Sequence, residues 1–373
     1  MTWPAPARIG MAIDEIDTPA LLIDLDAFEF NLRTLTDSLH DSGARLRPHA
    51  KTHKCPEIAL RQIALGAVGV CCQKVSEAEA LVAGGISDVL VTNEIVGDVK
   101  LARLAELARA ARIGVCVDHP EQVEQLGRAA ATAGARIDVY VELDVGQGRC
   151  GVSDPAVVVA LAGQVQAHPQ LRFEGLQAYH GRAQHLREPA ERERAVGEAR
   201  RIVAACVAAL TEAGVAVNRV TGAGTGTYLL EAGSGVWNEL QPGSYIFMDA
   251  DYSRNRIDAT APRFRQSLYV LSTVISLAGG RVILDAGLKA YAVDSGLPQV
   301  PEAPGWQFAK ATDEHGVLIP ASSAPPLPLA MGTKLRLVPG HCDPTVNLHD
   351  WFVGTRAGVV ETLWQISARG AIF

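Results

Sequence analysis

The sequence predicts an α/β chain: a (β/α)8 TIM-type barrel followed by a second, C-terminal all-β domain. Two observations carry this reading. Between residues 44 and 247, eight apolar, strand-like runs alternate with alanine-rich segments of helical period, the pattern of a barrel in which each strand is followed by a helix. After Tyr252 the alanine-rich segments stop and short alternating runs take over, as expected of antiparallel sheet. A third observation disfavours the runner-up, an open Rossmann-like sheet. The run Gly222-Ala-Gly-Thr-Gly226 comes only after seven strands and lacks G-x-G-x-x-G spacing.

In chain order, residues 20–24 read as a strand and Asp26 as the cap of a helix running towards His40. Barrel strands are expected at 44–49, 67–72, 88–93, 113–118, 138–144, 173–179, 219–225 and 240–247. Helices are expected at 76–83, 101–111, 120–133, 155–166 and 188–213, with another starting near Pro56, because proline is tolerated in a first turn. The β-domain runs are 267–275, 281–284, 316–319, 334–338, 351–355 and 359–366. The stretch 320–328, with four prolines, reads as a loop, since strand-like runs continue beyond it. The expected division is a barrel at 26–260 and a β domain at 261–373 together with 1–25.

Composition narrows the function classes. With 373 residues, 48% of them hydrophobic, the chain exceeds the ~250–300 residues at which single cores stop growing. A net charge of -7 and a pI near 5.8, without any run of lysine and arginine, argue against nucleic acid and against a polybasic membrane patch. Small molecules are the expected partners. No segment approaches the ~18 apolar residues of a membrane span, and residues 1–15 lack the features of a signal peptide, so a cytoplasmic protein is expected. The seven cysteines, an odd number with no C-x-x-C pair, read as buried thiols.

In such a barrel the active site lies at the carboxyl ends of the strands. The residues there are Lys51, Gln73, Asn93, Asp118, Asp144 with Gln147 and Arg149, Tyr179 with His180, 221–226 and 243–245. Lys51, in Arg47-Pro-His-Ala-Lys51-Thr-His-Lys-Cys-Pro56, has His49 and His53 beside it and an apolar wall behind. Those surroundings would desolvate an ammonium, lower its pKa and free an amine to condense with a carbonyl. The glycine-dense loops after strands 7 and 8, Gly222-Ala-Gly-Thr-Gly226 and Gly243-Ser-Tyr245, stand where barrels commonly bind phosphate. Together they suggest pyridoxal 5'-phosphate, held by a Schiff base at one end and by its phosphate at the other. In the β domain, Gly340-His-Cys-Asp-Pro-Thr-Val-Asn-Leu-His349 carries an H-x-D pair. If extended, His341 and Asp343 would share a face, suiting one imidazole and one carboxylate on a divalent cation, with Cys342 pointing away.

Six motifs in this order resemble the D-threonine aldolase and D-serine dehydratase-like family over about residues 18–373: the Lys51 motif, Cys-Cys-Gln73-Lys-Val-Ser76-Glu-Ala, Asp144-Val-Gly-Gln-Gly-Arg149-Cys-Gly-Val, Gln-Ala-Tyr179-His-Gly, Gly222-Ala-Gly-Thr-Gly226 and Pro-Gly-His341-Cys-Asp343-Pro-Thr. These are fold type III pyridoxal phosphate enzymes with an alanine-racemase-like barrel. The resemblance implies Lys51 as the Schiff-base lysine, Arg149 as partner of the pyridine nitrogen, and Gln73 and Tyr179 as cofactor contacts. It implies Thr225, Gly226, Gly243, Ser244 and Tyr245 as the phosphate site, His341 and Asp343 as ligands of a divalent metal (Mn, Mg, Zn, Co or Ca), and His185 as a catalytic histidine near the substrate hydroxyl. It also implies a homodimer. Ala223 departs from the Gly-Gly-Gly common in relatives, at the expected cost of some backbone freedom.

The implied reaction is retro-aldol cleavage of a D-3-hydroxy amino acid to glycine and an aldehyde. Arg149 cannot protonate the pyridine nitrogen, so the ring is a weaker electron sink and the cation must activate the β-hydroxyl. In dehydratase relatives a cysteine typically stands where Asp343 is, which tilts the reading to an aldolase. The alternatives are a 3-hydroxy-D-aspartate aldolase, giving glycine and glyoxylate, and a D-serine or D-threo-3-hydroxyaspartate dehydratase. A non-enzymatic pyridoxal phosphate carrier would lack the β domain and H-x-D, and a racemase would need a tyrosine in place of the metal pair. Arg182, between His180 and His185, is either a solvated loop residue or a reader of a β-carboxylate.

Overall fold

The computed structural model describes residues 4–321 and 325–373; the part of the expected proline-rich loop at 322–324 lies outside the described residues. The first strand, β1 (Ala20–Asp24), leads directly into α1 (Leu25–Leu39). Asp24 rather than Asp26 caps α1, accepting a hydrogen bond from the amide of Ala27 at 3.0 Å. The last residue of a strand is already extended, as an N-cap must be. There follow β2 (Arg45–Leu46), α2 (Pro56–Ala64), β3 (Val70–Cys72), α3 (Val75–Ala83), β4 (Asp88–Glu94), α4 (Asp98–Leu107), β5 (Arg112–Val117), α5 (Pro120–Ala133), β6 (Ile137–Glu142), α6 (Pro155–Ala167), β7 (Leu171–Ala178), α7 (Pro189–Glu212), β8 (Arg219–Gly222), α8 (Tyr228–Ala232) and β9 (Glu239–Leu240). Proline opens α2, α5, α6 and α7, where the missing amide would have had no partner in the helix.

Strands β2 to β9 form one parallel sheet in the order β2-β9-β8-β7-β6-β5-β4-β3. Its two ends meet: His49 bridges Cys71, and the amides of Val68 and Cys71 donate to the carbonyls of Leu46 and Pro48, each at 2.9 Å. The predicted barrel is therefore present and closed. Cys71, Leu90, Cys116 and Tyr140 pack as a separate cluster of buried residues, while alternate residues such as Val70, Cys72, Val89 and Val115 belong to the main core with the helices. The expected strands at 44–49 and 240–247 shrink to two residues each, because Pro48 and Pro242 lack the N–H that a ladder needs. The strand expected at 219–225 ends at Gly222.

The remaining strands, β10 (Leu268–Ser276), β11 (Val282–Leu284), β12 (Trp306–Ala311), β13 (Gly316–Pro320), β14 (Lys334–Leu337), β15 (Trp351–Arg356) and β16 (Val359–Gln365), form a second sheet in the order β12-β13-β11-β10-β1-β15-β16, with β14 paired to β10. Sequence reasoning missed β12, whose Trp-Gln-Phe-Ala-Lys-Ala lacks β-branched residues. Pro320, assigned to a loop, ends β13. The chain's first strand lies inside this sheet, antiparallel to β10 and parallel to β15. Phe247, just past the last barrel turn, meets Phe352 of β15 with ring centroids 5.5 Å apart. That shared core presses the loop before β15 onto the barrel mouth. Among the described residues no helix is long and apolar enough to cross a membrane.

Candidate active site

One helical turn, Ala50–Thr52, follows β2 and carries Lys51. Its Nζ lies 3.9 Å from Asp343 Oδ2. Burial works to lower the Lys51 pKa, but the Asp343 carboxylate and Tyr179 outweigh it and the net shift is upward. The expectation of a lowered pKa is thus corrected: it considered the apolar wall and not the facing acid. Burial, followed by the charges of Lys51 and His53, keeps His49 neutral, and burial holds His53 down to about 4. His49 Nε2 lies 3.1 Å from the Thr92 hydroxyl, which also accepts from the Gln73 amide at 2.9 Å. Lys54, the other lysine of the segment, borders the same groove but is already engaged. Its buried ammonium pairs with Glu77 at 2.7 Å and donates to the carbonyls of Ala368 and Ala371.

The loop after β6 presents Arg149. Asp144 Oδ1 accepts from the amides of Gly146 and Gly148 at 3.0 and 2.9 Å, which fixes the turn. Gly146, at φ +117, could not carry a side chain, since a Cβ would lie 2.8 Å from His180 Nε2. Arg149 Nη2 is 3.5 Å from Glu142 Oε1, and Tyr179 follows the last residue of β7.

The first glycine loop carries Thr225 and packs on Gln184, and the second packs on Thr52. A Cβ on Gly226 would lie 2.6 Å from the Gln184 carbonyl oxygen, and one on Gly243 would lie 2.5 Å from Thr52 Oγ1. Left-handed backbone falls instead on Ala223, at φ +67, with its methyl fully buried. The hydroxyls of Thr52 and Thr225 are buried without a hydrogen-bond partner, an arrangement that fits a phosphate between the loops. The Gly226 amide donates to Gln184 Oε1 at 2.9 Å. The Tyr245 ring is buried in the core and its hydroxyl accepts from Gln62 at 3.1 Å, so only its backbone can serve a ligand at this loop.

The H-x-D segment is not extended, contrary to expectation. His341 is the extended N-cap of a short helix, α9 (Cys342–Val346), and Asp343 lies in its first turn. Proline at 344 favours that first turn. Cys342 is buried, and its amide donates to Asp249 at 3.0 Å. His341 and Asp343 still meet Lys51 in one groove of about 620 Å³, together with Ala292, Val293, Asp294 and Ile372. His341 Nδ1 is 2.7 Å from Asp294 Oδ2, leaving Nε2 open. Burial alone would raise the Asp343 carboxyl, but Lys51 and His341 hold it below the usual range. An ionised carboxylate beside an imidazole oriented through its other nitrogen fits a divalent cation.

His185 closes the helical turn after β7, and its Nδ1 is 2.5 Å from Asp251 Oδ2. Asp251 also accepts from Arg187 at 2.5 Å and Arg254 at 2.8 Å. The Tyr252 ring lies 5.5 Å from that of His185, and burial, with Asp249 and Asp343 adding to it, pushes its phenol up. Arg182 is exposed, and its backbone amide donates to Gln147 at 2.9 Å. Sequence reasoning did not single out Thr52, Glu142, Asp251, Tyr252 or Asp294. Glu142 could have been noticed as a buried-strand acid ending Ile-Asp-Val-Tyr-Val-Glu, and Thr52 as Lys51's neighbour; nothing in sequence marks Asp294.

Two family models match the chain: the alanine racemase N-terminal domain over residues 23–251 and a putative serine dehydratase domain over residues 267–355. The chain is 52% identical to a D-threonine aldolase of Arthrobacter sp, covering 98% of this chain and 96% of that one. It is 47% identical to a 3-hydroxy-D-aspartate aldolase of Paracoccus denitrificans, covering 99% and 96%. Among solved structures, the D-threonine aldolase from Filomicrobium marinum superposes with a TM-score of 0.95 at 49% identity, covering 99% of this chain and 100% of that one. The D-threo-3-hydroxyaspartate dehydratase of Delftia sp. HT23 is more distant, with a TM-score of 0.86 at 27% identity over 95% and 98%.

Proposed function

We propose the following activity for a chain that belongs to the D-threonine aldolase family of fold type III pyridoxal phosphate enzymes: it cleaves the Cα–Cβ bond of D-3-hydroxy amino acids to give glycine and an aldehyde, as a carbon–carbon lyase. The observation that carries this reading is the groove itself, where a lysine amine faces an imidazole and a carboxylate, with Lys51 Nζ 3.9 Å from Asp343 Oδ2.

Pyridoxal 5'-phosphate, when bound, supplies the electron sink for the carbanion left on Cα, and a divalent cation the Lewis acid at the β-hydroxyl. Lys51 would hold the cofactor's carbonyl carbon, with Gln73 and Tyr179 beside the ring and Arg149 at the ring nitrogen. Arg149 keeps its own proton, so the reaction leans more on activation of the hydroxyl. Thr225 and Ser244, with the backbone at Gly226, Gly243 and Tyr245, would hold the phosphate. His341 Nε2 and the Asp343 carboxylate would hold the cation. His185, oriented through Nδ1 by Asp251, offers Nε2 as the base that takes the hydroxyl proton.

The groove favours an apolar β-substituent, as in D-threonine. Ala292, Val293 and Ile372 line it, and its second cation, Lys54, is already paired with Glu77. The 47% identity to the Paracoccus enzyme keeps 3-hydroxy-D-aspartate as the second reading. We take the protein to be a cytoplasmic homodimer that binds neither nucleic acid nor membrane, with its barrel at 26–260; seven unpaired cysteines support a reducing compartment. The test is incubation with D-threonine, D-serine and D-3-hydroxyaspartate, followed by assay of glycine, aldehyde, ammonia and 2-oxo acid. Glycine and aldehyde are expected; stoichiometric ammonia and 2-oxo acid would make the enzyme a dehydratase.

A further inference from the structure

A cluster at the barrel mouth has no part in the chemistry above. Glu94 ends β4, Asp118 follows β5 and Cys150 follows Arg149, and their ligand atoms lie within 4.8 Å of one another. Beside them Glu142, the last residue of β6, is only 4% exposed. Its carboxyl group faces that of Glu94, and each keeps a buried oxygen, Oε2 of Glu142 and Oε1 of Glu94, that no donor reaches. Two ionised carboxylates buried face to face repel and cannot bond to each other, and a shared proton or a cation is what relieves them. The other Glu142 oxygen faces Arg149 Nη2 at 3.5 Å.

Three observations favour the proton. Both Asp118 oxygens are already occupied, one by the Gln122 amide and the other by the Gly151 amide, each at 2.9 Å. Burial and the Glu94 carboxyl push the Cys150 thiol up to about 11, so it is a neutral donor rather than a thiolate ligand. Arg149 already supplies a positive charge that a bound cation would oppose.

We propose that Glu94 and Glu142 hold one proton between them and that this proton positions Arg149. With it in place, the pair carries a single negative charge and Arg149 stays presented to the mouth. Without it, a second negative charge draws the guanidinium onto Glu142 and away from the mouth. The groups facing the pair are Cys116 and Asp118 from β5 and beyond, Arg149 and Cys150 from the loop after β6, and from β7 the neutral Gln177, its register partner. Burial and the facing Glu94 raise the Glu142 carboxyl to about 8, so the proton stays at neutral pH.

The test uses the holoenzyme with Glu142→Gln and Glu94→Gln, whose amides donate without titrating. Infrared difference spectra between mildly acid and alkaline pH should show a neutral carboxyl group losing its proton in the wild type, and neither variant should show it. The folded wild type keeps a proton that the unfolded chain releases at an ordinary carboxyl pKa, so its melting temperature should fall from about pH 5 to about pH 8 more steeply than that of Glu142→Gln. Turnover should drop ~10-fold per pH unit above about 8 in the wild type and hold further into alkali in Glu142→Gln. This last readout rests on the aldolase reading, whereas the first two do not. An infrared band and melting slope unchanged in Glu142→Gln overturn the shared proton. A tightly bound second metal lost in Glu94→Gln would put a cation there instead, and an alkaline limb that does not move would remove the role in positioning Arg149.

Discussion

The ammonium of Lys51 and the carboxylate of Asp343 keep each other charged across 3.9 Å, so whatever engages Asp343 also releases the lysine. Lys51→Ala should abolish turnover and the cofactor's visible absorbance. A borohydride-reducible adduct surviving in that variant would move the anchor to Lys54, against its ion pair with Glu77. Asp251→Asn should leave His185 in place but remove the acceptor that fixes its tautomer, lowering kcat ~10- to 100-fold with KM nearly unchanged. An equal rise in KM would instead make Asp251 a determinant of binding. Arg182 is exposed and does not line the groove, so Arg182→Ala should change kcat/KM for D-threonine and for D-3-hydroxyaspartate by less than ~2-fold, within the surface range. A selective loss with hydroxyaspartate would restore its reading of a β-carboxylate. The sequence placed Lys51, Arg149 and Asp343 by their positions at strand ends and in motifs. It could not show the charge of Lys51, because that depends on an acid 292 residues away (343 − 51).

The proposed metal site belongs to an element, the short helix α9 together with the loop that carries Asp294. Its cap geometry turns His341 and Asp343 to one groove while Asp249 accepts the Cys342 amide below. Chelation should therefore remove activity reversibly and leave the cofactor bound, since none of the groups around Thr225 belongs to α9. Full activity in protein shown metal-free by elemental analysis would remove the cation from the reaction. Asp294→Asn should weaken metal affinity ~10-fold or more by loosening His341, measurable by titration without turnover. At this scale the helices were the most legible elements: 120–133 was predicted to the residue, because proline starts that helix and Gly134, in left-handed conformation, ends it. The segments read wrongly were those whose backbone obeys tertiary contacts. A two-residue spacing suggested a strand at 341–343, but the acceptor on Asp249, far away in sequence, favours a helical cap.

At the scale of the whole molecule, the end of the barrel opposite Lys51 is closed by charge. Arg47 bridges Asp88 at 2.6 Å and Glu239 at 2.9 Å, Arg112 reaches Asp138 at 2.7 Å and Glu174 at 3.1 Å, Arg172 pairs with Asp138 at 2.6 Å, and Arg219 lies 3.8 Å from Glu239. In the sequence each is an ordinary charged residue beside a loop, and only closure of the sheet makes them neighbours. Arg47 is 3% exposed and Glu239 is fully buried, so neither charge can fall back on water. Arg47→Met should leave the Glu239 carboxylate with only the distant Arg219 and cost ~3–5 kcal/mol, a melting-temperature drop of roughly 4–6 °C for a chain of 373 residues. Adding Glu239→Gln removes the stranded charge, so the double variant should recover a good part of that loss, because replacing both partners of a buried pair costs far less than breaking it. Turnover per folded molecule should hardly change in either variant, as no residue of the ring lines the groove. Thermal and urea unfolding of the two variants measure the coupling. If Arg47→Met melts within ~1 kcal/mol of the wild type, or the second substitution adds its own loss, the ring is held by packing of its side chains and not by the pairing of their charges.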